Sequence, residues 1–316
     1  MHRLTRAAAL ALAGLATIAA SGCGDGSVEP GSAGSAPKLQ ARVPGPDILG
    51  RVHREQLKEP MEEYRAFVGR NLAQMQSDVA ALSAATKAGD LDAARVAWQH
   101  ADFDYQSIGA AYGAFGGLDG KIDGTTAGLP GGARSPQFTG LHRVELALWG
   151  RNSTADAVAP VDQLAGDVHR LRGRVDSIEI DPIDYTLRAH EVFEDSLHLE
   201  LSGRASPWSD SALLALRANL RGTRFIIGTV RPLLKSQPLV LQQAETSLDN
   251  VDRALRVVGA DTMSPPRWSS LNQRDHELVA GTTTAAAEKL SYLPEVLDPR
   301  GKRPTHSAFG DGETAQ

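Results

Sequence analysis

From Ile48 to Val296 the apolar residues of this chain recur at three- and four-residue intervals, and no alternating run bounded by turns stands out among them. That period is the one an α-helix imposes when one of its faces is buried. It predicts an all-α fold. Composition agrees: 41% of residues are apolar but only 5% aromatic, and Ala and Leu are abundant. A β-sandwich would draw instead on Val, Ile, Tyr and Thr. Up to eight helices fit the pattern, which suggests helical bundles, two of four helices packed together.

The breaks in the pattern mark the elements. A first helix, bent or broken, covers about residues 48 to 86 and ends at the turn KAGD. Asp90 can cap a second, which begins at Leu91 and runs toward Phe115. GGLDGKIDGTTAGLPGGARSPQF then reads as a long Gly-rich loop, unusual inside a domain and so a candidate functional segment. TGLHRVELALWG is the third helix. DPIDYTLRAHEVFEDSLHLEL follows with Pro182 near its start, where a missing N–H costs little. Three further helices lie in SALLALRANLRGTRFIIGTVRPLL, QQAETSLDNVDRALRVV and LNQRDHELVAGTTTAAAEKLSYL.

The formal charge, 33 − 38 = −5, comes with no long basic run. A nucleic-acid binder needs concentrated Lys and Arg to displace counterions, so that class is set aside. The one cysteine, Cys23, cannot form an internal disulfide. It ends a segment with a basic start (Arg3, Arg6), an apolar run from Ala7 to Ala20 and small residues before the cysteine. This resembles a bacterial lipoprotein signal, with residues 1–22 removed and Cys23 lipidated; a plain secretory signal is the alternative. Residues 23–47, rich in Gly, Ser, Ala and Pro, read as a flexible tether. The helical domain is expected over 48–300 and a disordered tail over 301–316. The expected location is the outer face of a membrane or the periplasm, lipid-anchored.

TGLHRVELALWG carries an oddity. Leu141, Val144, Leu148 and Trp149 mark the half of the wheel that should be buried, and His142 and Glu145 fall on the same half, three residues apart. Both can reach one ion or each other. A buried His–Glu hydrogen bond and a metal site therefore both stand open. In RAHEVFEDSLHLEL, His190 and Glu194 share a face with Leu187, Leu197 and Leu201, and helix bundles do build metal sites from such pairs on neighbouring helices. WQHADFDYQ offers His100, Asp102 and Asp104, which a solvated acidic face would also explain. GGLDGKIDG offers Asp119 and Asp123, where turn chemistry alone favours Asp beside Gly. HEVFE lacks the second His of the zincin motif, whose place Glu194 takes.

TGLHRVELALWG resembles the GxHxxE motif of the imelysin-like proteins, and of their EfeO branch in particular. YQSIGAAYGAFGGLDGKIDG, LPGG, RAHEVFEDSLHLELSG, RANLRGTRFIIGTVRPLL and YLPEVLD match stretches typical of that branch, in order, so the resemblance covers almost all of residues 48 to 298. It implies two four-helix bundles, a metal site at the motif, and a role in capturing iron for a membrane permease, with a peroxidase-type partner in the same system. Proteins of the branch often carry an N-terminal cupredoxin domain; here the tether leads straight into helices, so the expectation is a chain without one. By position the implied ligands are His142, Glu145 and Asp119. Where relatives read YERI this chain reads YQSI, so Gln106 stands in place of a glutamate; its amide oxygen can coordinate but lacks the charge, and Asp102, one turn earlier, can compensate. His190 and Glu194 join this site, form a second one, or brace the bundle.

The expected function is thus a lipid-anchored binding protein for a metal ion, with Fe²⁺ or Fe³⁺ ahead of zinc and copper. The alternatives are a metallopeptidase using Glu145 or Glu191 as base, and a surface adhesion or polysaccharide-binding module, against which the 5% aromatic content argues mildly.

Overall fold

The computed structural model describes Val52 and residues 54–297. The signal segment, Cys23, the tether and the tail lie outside the described residues. The helices are α1 (Lys58–Ala88), α2 (Leu91–Gln106), the short α3 (Tyr112–Phe115) and α4 (Asp119–Ile122), α5 (Gly140–Glu145), α6 (Thr154–Arg172), α7 (Pro182–Asp195), α8 (Ala212–Val230), α9 (Pro238–Val257), α10 (Gln273–Leu290) and the short α11 (Leu293–Val296). Strands are absent among the described residues, as the period predicts. None of the described helices is long and apolar enough to cross a membrane.

Local chemistry explains the boundaries. Helix α1 stops where Gly89 adopts φ 78° and its N–H closes on Ala85 and Thr86 carbonyls. The Asp90 side chain then accepts from the Ala93 N–H and starts α2, as the sequence indicates. Asp181 caps α7 through the N–H groups of Ile183 and Asp184, with Pro182 in the first turn. Three expectations need correction. The second helix ends at Gln106 and the chain goes on through a 3₁₀ turn into α3, rather than running on to Phe115. The Gly-rich segment holds α4 and a 3₁₀ turn over Gly132–Arg134 instead of being structureless. Helix α6, which the sequence reading leaves unassigned, is capped by the Ser153 side chain on the Asp156 N–H. Its Ala157, Val161, Leu164, Val168 and Leu171 keep the helical spacing, and Pro160 in its second turn disguises them.

Helix α1 packs on α2 and α6, α10 packs on α9 and α7, and α8 touches α1 and α2 as well as α7 and α9. One contiguous apolar cluster runs through all of these helices. The packing does not by itself divide them into two bundles of four, because α8 belongs to both groups. Trp98, Tyr64, Tyr105, Tyr185 and Phe193 are wholly buried, each contributing about 1.5–3 kcal/mol by removal from water. The approach of α8 to α2 depends on Gly222: a Cβ there would lie 2.2 Å from the Ser107 carbonyl oxygen. That contact draws α8 against the end of α2, where the candidate site lies.

Candidate metal centre

Helix α5 is buried on nearly every side, and this resolves the oddity of its sequence. Gly140, Leu141, His142, Val144 and Glu145 are all inaccessible, and the Trp98 indole donates to the Leu141 carbonyl at 2.8 Å. Gly140 permits the placement. Its φ is +77°, and a Cβ would stand 2.2 Å from the carbonyl oxygen of Ile122. Because only glycine lets these two backbones touch, the end of α4 lies directly over the start of α5. Asp123, the residue after α4, thereby reaches His142.

The ring of His142, 3% exposed, lies between two carboxylates. Nδ1 is 3.1 Å from Glu145 Oε2, and Nε2 is 3.4 Å from Asp123 Oδ1. Burial by itself lowers the pKa of the ring, but the hydrogen bonds and charges of Asp123 and Glu145 together outweigh it and push the pKa well above the usual imidazole range. These neighbours favour the imidazolium form, which can donate from both nitrogens. The other oxygen of Glu145 is fully occupied. Oε1 accepts from the Trp208 N–H at 3.0 Å, the Ser209 N–H at 2.7 Å and the Ser209 hydroxyl at 2.8 Å, all from the turn before α8.

Two more acids close the cluster. Asp102 and Gln106 sit one turn apart on the buried ridge of α2, which also carries Ala94, Trp98, Ala101 and Tyr105. Burial, then the charge of Asp123, raises the Asp102 pKa to about 7. Glu200 ends a π-helical turn, Ser196–Glu200, that continues α7. Burial and then the charge of Asp102 raise its pKa to about 8. Asp102 Oδ2 and Glu200 Oε2 are both buried without a hydrogen-bond partner among the described residues. A second π-turn, Leu146–Gly150, follows Glu145 directly. Such turns recur where a helix aims a side chain at a functional position.

The Gln106 amide presents its nitrogen, not its oxygen, to this cluster. Nε2 lies 3.1 and 3.2 Å from the two oxygens of Asp123 and 3.4 Å from Asp102 Oδ1, while Oε1 accepts from the Tyr112 hydroxyl at 3.2 Å. Asp119 stands beside Asp123 and accepts from the Tyr105 hydroxyl at 2.8 Å. Burial raises the Asp119 pKa to about 6, with the Tyr105 bond opposing and the charge of Asp123 adding to the rise.

The structure thus brings together His142, Glu145, Asp102 and Gln106 with Asp123, the second acid offered by the loop sequence, sets Asp119 at their edge, and adds Glu200. His190 and Glu194 do not join: His190 is half-buried, Glu194 is exposed, and no hydrogen bond or ion pair ties either to the cluster among the described residues. Helix α7 buries Tyr185, Ala189, Val192, Phe193 and Ser196, not the Leu187–Leu197–Leu201 face chosen from the sequence. Glu200 follows Val192 and Ser196 at four-residue steps, and that spacing is the signal that could have found it. Asp104 points away from Asp102 and lies 3.8 Å from Arg221; burial, then Asp78, raises its pKa to about 7. His100 is half-buried. Among the described residues, no three His, Cys, Asp or Glu side chains are drawn around a single ion position. Asp123 and Glu145 are instead closed on the His142 imidazolium, so a cation entering here must displace the ring proton and draw the acids inward. The two unpartnered carboxylate oxygens fit such a cation.

The imelysin (peptidase M75) family matches residues 60–291. The iron uptake system component EfeO of Yersinia pseudotuberculosis serotype I (strain IP32953) is 30% identical over 239 residues, covering 75% of this chain and 64% of the relative. EfeO of Escherichia coli O157:H7 is 30% identical over 239 residues, covering 74% and 62%. The chain therefore spans a little under two thirds of the length of these curated relatives. The family match takes in α5 with its Gly140, His142 and Glu145 and every acid of the cluster, and on that ground the chain belongs to the imelysin family.

Proposed function

We propose that this protein captures iron outside the cytoplasm and hands it to a membrane permease of an uptake system, which can include a peroxidase-type partner. The observation that carries this is the cluster of buried Asp102, Glu145 and Glu200 with half-buried Asp123 around His142, in which two carboxylate oxygens lack a hydrogen-bond partner among the described residues. Burying several acids is unfavourable unless a cation or protons offset their charge. The relatives' printed role in iron uptake supports iron as the cargo. The oxygen-rich donor set suits a hard ion better than a soft one, which places zinc and copper behind iron. Anchoring through a lipid on Cys23, with the tether over 23–47 and the helical domain over 48–300, belongs to the same proposal. Mass spectrometry of the N-terminal peptide tests it.

Capture is a proton exchange in this reading. The imidazolium must lose its proton to ligate, and Asp102 and Glu200 must ionise, so affinity rises with pH and binding releases protons. Glu145, whose Oε1 already accepts three hydrogen bonds, is poorly disposed to act as a hydrolytic base. The test is elemental analysis of protein purified without chelator, then titration with Fe²⁺ under anaerobic conditions, Fe³⁺ as a weak chelate, and Zn²⁺, beside His142→Ala. Iron binding lost in the variant with helicity intact is the expected result. Unchanged stoichiometry in His142→Ala would overturn the assignment.

A further inference from the structure

Gln106 is the one member of the cluster that is neither acid nor base, and its geometry shows what it does. The side-chain nitrogen has two hydrogens. One faces Asp123, 3.1 and 3.2 Å away, and the other faces Asp102 Oδ1 at 3.4 Å. The orientation is set by its surroundings: turning the amide over would aim its oxygen at two carboxylates and its nitrogen away from them. The Tyr112 hydroxyl shares its one hydrogen between the Tyr105 carbonyl at 3.0 Å and Oε1 at 3.2 Å, and its ring stacks on Tyr105 at 4.9 Å, so the two carboxylates are what fix the orientation. Gln106 is 7% exposed, so these partners lie almost wholly inside the protein.

We infer that Gln106 is a positioning residue that sets the charge preference of this centre: its neutral amide bridges Asp102 and Asp123 and biases the site toward divalent over trivalent cations. The inference rests on the capture reading above. A bridge of two N–H groups does part of the work that positive charge would otherwise do, holding two carboxylates side by side without adding to the negative total. A carboxylate in the same place donates nothing. It would put a third acidic group against Asp102 and Asp123, and the charge then demanded of the bound ion rises. A unit charge ~5 Å from an ion, at an effective dielectric constant of about 20, acts on each further positive charge strongly enough for a change well above tenfold. A cation-seeking environment is independently marked by the buried oxygens of Asp102 and Glu200 that have no hydrogen-bond partner among the described residues.

The experiment compares the affinities of Mn²⁺ and Tb³⁺ in the wild-type protein, Gln106→Glu and Gln106→Met. The Tb³⁺-to-Mn²⁺ affinity ratio should rise at least tenfold in Gln106→Glu and stay within threefold of wild type in Gln106→Met, which removes the bridge but adds no charge. A ratio unmoved in Gln106→Glu, or moved equally in both variants, overturns the inference while leaving cation capture standing. Wild-type protein that binds neither ion nor iron overturns the capture reading itself, and this inference with it. A second readout needs no variant. In Zn²⁺-loaded protein labelled with ¹⁵N, the Gln106 side-chain NH₂ should remain protected from exchange. Fast exchange there would mean that the amide has turned its oxygen to the ion, and the inference fails.

Discussion

Asp102→Asn should stabilise the protein while disabling its site, and the structure gives the size of the effect. Asp102 is 1% exposed, and its pKa is raised from 3.8 to about 7, first by burial and then by Asp123. A folded-state value above the unfolded one means the folded state prefers the proton. The favourable contribution is complete below the unfolded pKa and is lost as pH rises through about 7. A shift of roughly 3 units corresponds to about 4 kcal/mol of destabilisation when the acid is fully ionised. Relaxation of its acidic neighbours trims this, so the expected gain of the Asn variant above pH 8 is about 2–4 kcal/mol. Asn keeps an oxygen for the Gln106 amide and differs little in volume, so no new cavity enters the comparison. The assay is urea and thermal unfolding of both proteins with chelator present. At pH 8.5 the melting temperature should rise by roughly 5–15 °C. By pH 5.5 the advantage should shrink by about 2 kcal/mol, as wild-type Asp102 takes up its proton. With saturating metal the order should narrow or invert, because a ligand at 100 times its Kd contributes about 2.7 kcal/mol to the wild type alone. A variant less stable than wild type at pH 8.5, or a difference independent of pH, would refute the reasoning.

Other perturbations probe how the site is built. Gly140→Ala sets a Cβ 2.2 Å from the Ile122 carbonyl oxygen at φ +77°, so it should cost more than about 2 kcal/mol in unfolding experiments and abolish metal uptake by parting Asp123 from His142. Ser209→Ala removes one of three donors to Glu145 Oε1 and should lower stability by about 1–3 kcal/mol, with a smaller loss of affinity in titration calorimetry. Replacing His190 and Glu194 together by Ala should leave metal stoichiometry unchanged, since neither is tied to the cluster; a lost equivalent of metal would restore the proposal of a second site there.

Much of this was legible from the residues alone, for a physical reason. Helical periodicity, the Asp90 cap and Pro182 are local features. The backbone responds to them within a turn or two, so they can be read without knowing what packs where. The pairing of His142 with Glu145, at three residues' separation, is local as well, and Asp102 with Gln106 shares that property. α6 was equally local but hidden, because Pro160 lies inside the helix, where it removes a backbone hydrogen bond that the packing of the whole helix must outweigh. The faces of α7 were not local. Two ridges of that helix carry apolar residues, and only the elements packed on it, α8 and α10 among them, decide that Val192, Ser196 and Glu200 turn inward while Glu194 is left exposed.

The sequence by itself therefore determined an all-helical chain carrying a buried histidine–glutamate pair and the residue types of a cation site. Tertiary structure alone decided which acids meet that pair. Asp123 arrives because two backbones touch at Gly140. Glu200 arrives because a π-turn carries the inward ridge of α7 one step further, and Gln106 faces the cluster with its nitrogen because the carboxylates of Asp102 and Asp123 lie on that side. The Asp123 and Glu200 contacts are set by the packing of helices against one another, so the spacing along the chain can mark an inward ridge but not the partner it meets.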